Sequence, residues 1–332
     1  MTDTFKALIV DQQDGETTAD VREMTRDSLP AEGDVVVAVA YSSLNYKDGL
    51  AVTGKAKVLR SFPMVPGIDL AGTVVESKSP DFNEGDAVIL TGFETGERYW
   101  GGFTQLNRVR SETLVPLPEG MTLKEAMTVG TAGLTAMLSV LALEQHGLMP
   151  EEGRQVLVTG ASGGVGSMAV AILGELGHDV VASTGKKDAH AYLESLGASD
   201  FFDREELAAP SKRPLEAGRW AGAVDAVGGD TLAGLLRSMA PHSSVALSGN
   251  AGGVALNSTV LPFILRGVNL LGIDSNFAPM DKRIVAWQRL SDILSKTALA
   301  AMAREASLED VPALSKKILA GAIQGRTVIK VG

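Results

Sequence analysis

A chain of 332 residues, 45 % apolar and 21 % charged, is long enough for two hydrophobic cores and has a globular balance. Its net charge of −10 argues against wholesale binding to nucleic acid or an anionic membrane surface. Cysteine is absent, which excludes disulfides, iron–sulfur clusters, thiolate zinc sites and cysteine nucleophiles. The four histidines, His146, His178, His190 and His242, form no HxxxH or HxH pair, so no metal site is expected.

In chain order, Met1–Phe5 carries an acid and no apolar h-region, so no secretory signal is read there. The first third alternates short β-branched runs, Ala7–Val10, Val35–Val39, Ala71–Val75 and Ala87–Leu90, with Gly and Pro punctuation. That pattern predicts an irregular, mostly antiparallel β-domain. The texture changes near Lys124. Leu134, Met137, Leu138 and Leu141 follow helical spacing, and Gly147 can end that helix. The longest apolar stretch, Leu134–Leu143, is too short to span a bilayer, and a cytoplasmic protein is expected. Gln155–Thr159 then reads as a buried parallel strand, followed by candidate strands Asp179–Ala182, Asp200–Phe202, Ala223–Val227, Ser244–Leu247 and Asn269–Ile273. Candidate helices lie at Val165–Leu176, Ala189–Leu196, Thr231–Met239 and Val260–Leu265. Six strands with crossover helices predict an α/β doubly wound sheet. Helical stretches at Ile284–Leu294 and Val311–Leu319 lead to a terminal strand, Thr327–Val331, expected to rejoin the first domain.

Gly160-Ala-Ser-Gly-Gly-Val-Gly166 stands between the strand ending at Thr159 and the helix starting near Val165. A helix N-terminus offers unpaired N–H groups and a positive dipole end, which suits a pyrophosphate. Glycine at 160, 163 and 164 permits positive φ and close approach of the ligand, and Gly166 permits close helix–strand packing. An NAD site needs an acid at the end of the second strand. Here that strand runs into Ser183-Thr-Gly-Lys-Lys187, with Asp188 beyond as a helix N-cap. Hydroxyls and ammonium groups suit a 2′-phosphate, so the cofactor expected is NADPH.

Ser42–Asp48 follows an apolar strand and puts Asn45, Tyr46, Lys47 and Asp48 on a loop. Tyr46 can donate a proton or a hydrogen bond to a substrate and flank a nicotinamide, or it can pack its ring at a domain interface. Arg326 is either an anion anchor or a surface cation. Lys55, Lys57 and Arg60 can meet a CoA phosphate or simply be solvated.

Several segments together resemble the zinc-free, quinone-oxidoreductase-like branch of the medium-chain dehydrogenase/reductase superfamily, and within it the acrylyl-CoA reductases. They are Ser43–Asp48, Pro63–Asp69, Trp100–Gly102, Gly130–Met137, Val158–Ser167, Leu193–Ala198, Pro262–Arg266, Gly272–Ser275 and Ile323–Thr327. The resemblance implies a GroES-like catalytic domain (1–126 and 276–332) and a Rossmann NADPH-binding domain (127–275), with the active site in the cleft between them. It implies hydride transfer to the β-carbon of an acryloyl thioester of CoA, giving propanoyl-CoA, and a homodimer. By position it carries over Tyr46, Asn45 and Arg326 as catalytic. As cofactor-binding it carries over Tyr46, Ser162, Gly163, Gly164, Val165, Ser183, Thr184, Gly185, Lys186, Arg204, Leu247, Ser275, Asn276 and Arg326. The proton donor stays open between Tyr46 and water. An arginine after the glycine of the phosphate loop would make a bidentate clamp, and Lys186 stands there instead. The alternatives are an NADPH-dependent quinone or enone reductase on the same scaffold, and a non-catalytic NADPH-binding sensor.

Overall fold

The computed structural model describes residues 4–151 and 153–332. Two compact units result. One comprises Met1–Thr131, Asn276–Trp287 and Met302–Gly332; the other comprises Ala132–Ser275 and Gln288–Ala301.

The first unit opens with a hairpin of β1 (Thr4–Gln13) and β2 (Glu16–Thr25). Its turn is Asp14-Gly15 with φ of 52° and 83°, the Asp-Gly chemistry that a tight hairpin of right-twisted strands requires. There follow β3 (Val35–Leu44), α1 (Tyr46–Thr53), β4 (Asp69–Ser77), β5 (Ala87–Thr91), β6 (Leu106–Val109) and β7 (Val115–Pro116). Leu8, Val35, Val37, Leu70 and Val88 point into one core there, all with no exposed surface.

Helix α2 (Leu123–Gln145) starts eleven residues before the expected Leu134 and is broken at Gly130, where φ is 51° and ψ −159°. It corrects the sequence reading of this region, being long and apolar enough to cross a membrane. The protein buries 78 % of its most apolar window, as suits a core helix.

The second unit is built on β8 (Gln155–Thr159), α3 (Gly164–Glu175), β9 (Asp179–Ser183), α4 (His190–Ser195), β10 (Ala198–Phe202), α5 (Arg204–Ala208), β11 (Trp220–Asp225), α6 (Gly229–Ser238), β12 (Met239–Leu247), α7 (Leu261–Arg266) and β13 (Asn269–Gly272). All six strands are parallel, in the order β10-β9-β8-β11-β12-β13. The order reverses direction between β8 and β11, the switch point at which dinucleotides bind in open α/β sheets. Val156, Leu157 and Val158 of the central strand have no exposed surface, which explains its unbroken apolar run.

The chain finishes with α8 (Met280–Ile293), α9 (Lys296–Met302), β14 (Ala303–Ser307), α10 (Val311–Leu319) and β15 (Arg326–Lys330). The last strand joins the first unit, antiparallel to β3 with Thr327 opposite Leu44, in a sheet ordered β14-β15-β3-β4-β5-β7. Strand β14, Ala-Arg-Glu-Ala-Ser, has no β-branched residue and is held by its parallel pairing with β15.

Candidate functional site

In the second unit the glycine turn joins β8 to α3 with Gly163 as N-cap. The expectation of positive φ holds only at Gly160, at 59°. Gly163 has φ −83°; an added Cβ there would lie 3.3 Å from the Gly160 carbonyl, so its use is an open surface. Gly166 is demanded by contact. A Cβ there would stand 2.3 Å from the Gly160 oxygen and 2.6 Å from Ala161 Cα, so the helix closes on the turn itself. Ser167 N–H already donates to Gly163 O, which leaves the N–H groups before it to face outward from the helix start.

Beneath the turn, Asp225 at the end of β11 is fully buried. It accepts bonds from Thr159 Oγ1 (2.5 Å), Val227 N (3.4 Å) and Gly228 N (2.8 Å). Burial raises its pKa, opposed by those bonds. The pair ties β8 to β11 at the switch point. Sequence reasoning missed both residues; an acid closing an apolar strand was the available signal.

The end of β9 packs against the turn, with Ala161 N donating to Ser183 O and Thr184 Oγ1 to Ser162 Oγ (3.3 Å). Lys186 N donates to Thr184 Oγ1 at 3.1 Å. The Ser183 hydroxyl is buried and has no hydrogen-bond partner among the described residues, a cost that a bound acceptor would remove. Arg204, at the start of α5, lies over Gly185, where a Cβ would be 2.5 Å from its Nε. The guanidinium absent from the local sequence thus arrives from the third strand's end. Ser162, Ser183, Thr184, Gly185, Lys186 and Arg204 are brought together. Leu247, at the end of β12, sits in register with Asp225, near the same end of the sheet. No carboxylate stands within Ser183–Lys187. This donor set fits a phosphorylated dinucleotide.

In the first unit the expected loop at Asn45–Asp48 is the first turn of a helix, because Asp48 caps it. Asp48 Oδ2 accepts Asn45 N–H at 2.8 Å and Oδ1 accepts Ile68 N–H at 2.9 Å. Asp48 is 1 % exposed. Burial, reinforced by the charge of Asp69, pushes it up to about 7 against those bonds. Tyr46, at the first helical position, is 48 % exposed. Lys47 Nζ pairs with Glu97 Oε1 at 2.8 Å.

Behind Tyr46 lies a buried node. Arg326 donates from Nε to Thr128 O (2.9 Å), from Nη1 to Asn45 Oδ1 (3.1 Å) and from Nη2 to Ser43 Oγ (2.8 Å). Asp69, without exposed surface, accepts from Ser43 Oγ (2.5 Å), Asn45 Nδ2 (2.8 Å) and Thr131 N (3.0 Å), and lies 3.8 Å from Arg326 Nη2. Gly130 passes so close that a Cβ would meet Asp69 Oδ2 at 2.5 Å and Arg326 Nη2 at 2.7 Å. Asn45 and Arg326 are therefore joined to each other and to Asp69, which sequence reasoning did not single out. Its only mark there was a lone acid after Pro-Gly. Asn276 falls in the first unit, its carbonyl accepting from Phe93 N (3.0 Å) and Arg283 Nη2 (2.8 Å), while Ser275 ends the second. Lys55, Lys57 and Arg60 are exposed.

Comparison with known proteins adds the following. The chain matches the family model "Alcohol dehydrogenase GroES-like domain" over residues 31–119 and "Zinc-binding dehydrogenase" over 164–292. Among the described residues, no group of three or more His, Asp or Glu side chains is placed to hold a metal ion. The chain is 52 % identical to acrylyl-CoA reductase AcuI of Ruegeria pomeroyi, over 98 % of its own length and 99 % of the relative's. The crystal structure of the YhdH oxidoreductase of Salmonella enterica in complex with NADP superposes with a TM-score of 0.96 at 50 % identity, covering 98 % of this chain and 100 % of that one. The putative quinone oxidoreductase YhfP of Bacillus subtilis, solved with NAD bound, gives a TM-score of 0.95 at 48 % identity, over 99 % and 100 % of the two chains.

Proposed function

The chain belongs to the acrylyl-CoA reductase branch of the medium-chain dehydrogenase/reductase superfamily, and from that membership we infer that it uses NADPH to reduce the carbon–carbon double bond of acrylyl-CoA, giving propanoyl-CoA. The observation that carries this reading is the 52 % identity to an acrylyl-CoA reductase, sustained over essentially the whole of both chains.

NADPH, when bound, supplies the hydride that the β-carbon receives. The rest is the work of this chain's residues. The N–H groups of Gly164 and Val165, at the start of α3, hold the pyrophosphate, with Ser162 and Gly163 shaping the turn. Ser183, Thr184 and Lys186 hold the 2′-phosphate, and Arg204 adds the forked cation that a lysine cannot. Leu247 and Ser275 would line the rest of the cofactor groove, and Asn276, in the first unit, is assigned to it by the resemblance alone. Tyr46, exposed at the first turn of α1, would orient the thioester, and either it or water would return the proton to the α-carbon. Asn45 and Arg326, whose donors and acceptors engage Ser43, Asp69 and Thr128, hold the Tyr46 turn in place. The first unit is the catalytic domain and the second the nucleotide-binding domain. The absence of cysteine removes the thiolate zinc ligands, in keeping with a zinc-free reaction, and the family resemblance supports a cytoplasmic homodimer.

A second reading, an NADPH quinone reductase, is favoured by the 48 % identity to YhfP. NADPH oxidation with acryloyl-CoA, crotonyl-CoA and a quinone separates the two. The expected result is a kcat/KM for acryloyl-CoA at least about tenfold above that for the quinone, on the order of 1.4 kcal/mol in transition-state binding. The reverse order would establish the quinone reductase. Cofactor binding without turnover of any acceptor would indicate a sensor.

A further inference from the structure

The first unit contains a cavity of about 430 Å³ that no part of this mechanism uses. Its walls include Glu32, Arg98, Tyr99, Trp100, Arg108 and Arg110, contributed by the segment before β3, the loop before β6, and β6 with its following residue. A volume of this size is that of a small-molecule site.

Arg108 is its chemical centre. The stem is fixed, since a Cβ on Gly33 would touch Arg108 Cγ at 3.0 Å, and Nη1 donates to Pro30 O at 2.9 Å. The guanidinium is half-buried and pairs with no carboxylate among the described residues. Arg98 and Arg110 are each tied to a glutamate, Glu94 and Glu112, at 3.3 Å. Arg110 also covers the Tyr99 ring at 4.2 Å. Glu32, exposed on the segment that Arg108 bonds, makes no ion pair among the described residues. The cavity thus presents an unneutralised fork of N–H donors, an aromatic wall and a free carboxylate acceptor.

We propose that this cavity binds a phosphorylated adenosine, and that in the reductase it holds the 3′-phosphoadenosine end of the CoA thioester. The phosphate meets the open donors of Arg108. The purine lies against the aromatic wall of Tyr99 and Trp100, and its exocyclic amine donates to Glu32. Connectivity supports the assignment. Glu97, adjacent to Arg98 in the chain, takes the ammonium of Lys47, adjacent to Tyr46. One ion pair and two peptide bonds therefore join the cavity wall to the proposed catalytic turn, which puts both on the same face of connected chain. The CoA assignment rests on the reductase reading; the nucleotide site does not.

The test titrates adenosine 3′,5′-bisphosphate by calorimetry into protein saturated with NADPH, so that the dinucleotide turn is already filled. Binding is expected, and Arg108→Ala is expected to weaken it at least tenfold. Ala31→Trp, which fills the cavity from an exposed position and leaves the arginine itself in place, is expected to do the same, so a folding defect in the first variant does not decide the result. Both variants should raise the KM for acryloyl-CoA at least tenfold and leave kinetics with the acryloyl thioester of pantetheine within twofold. Binding that vanishes once NADPH saturates the protein, or that survives both variants, overturns the site. Equal damage to both thioesters overturns the CoA assignment. Undiminished bisphosphate binding beside a failure to reduce any thioester supports the nucleotide site and overturns the reductase.

Discussion

Asp48 shows how one side chain couples the chemistry of the candidate site to the stability of the fold. Its carboxylate caps the turn that carries Tyr46 while buried near a second carboxylate, Asp69. Burial raises it to about 7, above the value near 3.9 of an unfolded chain, so the native state holds a proton that the unfolded state has released. The stability this contributes is complete below about pH 4 and is lost as pH rises through about 7. Asp48→Asn removes the titration. The stability of the wild type relative to this variant is therefore expected to fall by roughly 2 kcal/mol between pH 5 and pH 7, measured by chemical denaturation. A difference that stays flat with pH would show that Asp48 does not titrate there. The motif that contains Asp48 was visible in the sequence, but its burial was not, because the Ile68 N–H that it accepts lies 20 residues away.

At the scale of elements, the break in α2 is where long-range contacts override local propensity. Leu123–Gln145 forms one apolar helical stretch, yet Gly130 leaves helical geometry so that Thr131 begins a new helical run with its N–H on Asp69. A carboxylate at that start satisfies an orphan donor and meets the positive end of the helix dipole. Gly130→Ala adds a methyl 2.5 Å from the Asp69 carboxylate at a φ of 51°. It is expected to destabilise the protein by on the order of 3 kcal/mol or more and to lower turnover, through displacement of the Asp69–Arg326 pair that backs the Tyr46 turn. Full stability and activity in this variant would refute the node as the support of that turn. The glycine turn was easier to read, because its strand–turn–helix context is local. Even there, the reason for Gly166 is the Gly160 carbonyl, a contact formed only once the turn has closed.

For the whole molecule, the proposed 2′-phosphate site draws on residues far apart in sequence. Ser183, Thr184 and Lys186 lie together, but Arg204 joins them from the end of β10, because neighbouring parallel strands bring their C-terminal ends to one edge. NADPH is accordingly expected to raise the thermal unfolding midpoint more than NADH at equal concentration. A ligand at 100 times its Kd stabilises by about 2.7 kcal/mol, and one near its Kd by only a few tenths. Ser183→Asp, which restores an acid to the end of the second strand, should reverse the order of the two cofactors; an unchanged order would place the 2′-phosphate elsewhere. By itself the sequence determined the alternation of strand and helix in the second unit, the dinucleotide turn, the absence of cysteine ligands and the family. All of these are written in local periodicity, composition or contiguous motifs. Only the tertiary structure decided that Asn45 and Arg326 meet at Asp69, that Arg204 comes to lie against Gly185, and that Arg108, Tyr99 and Glu32 surround one cavity. Those juxtapositions depend on strand order and chain crossing, which no local pattern records.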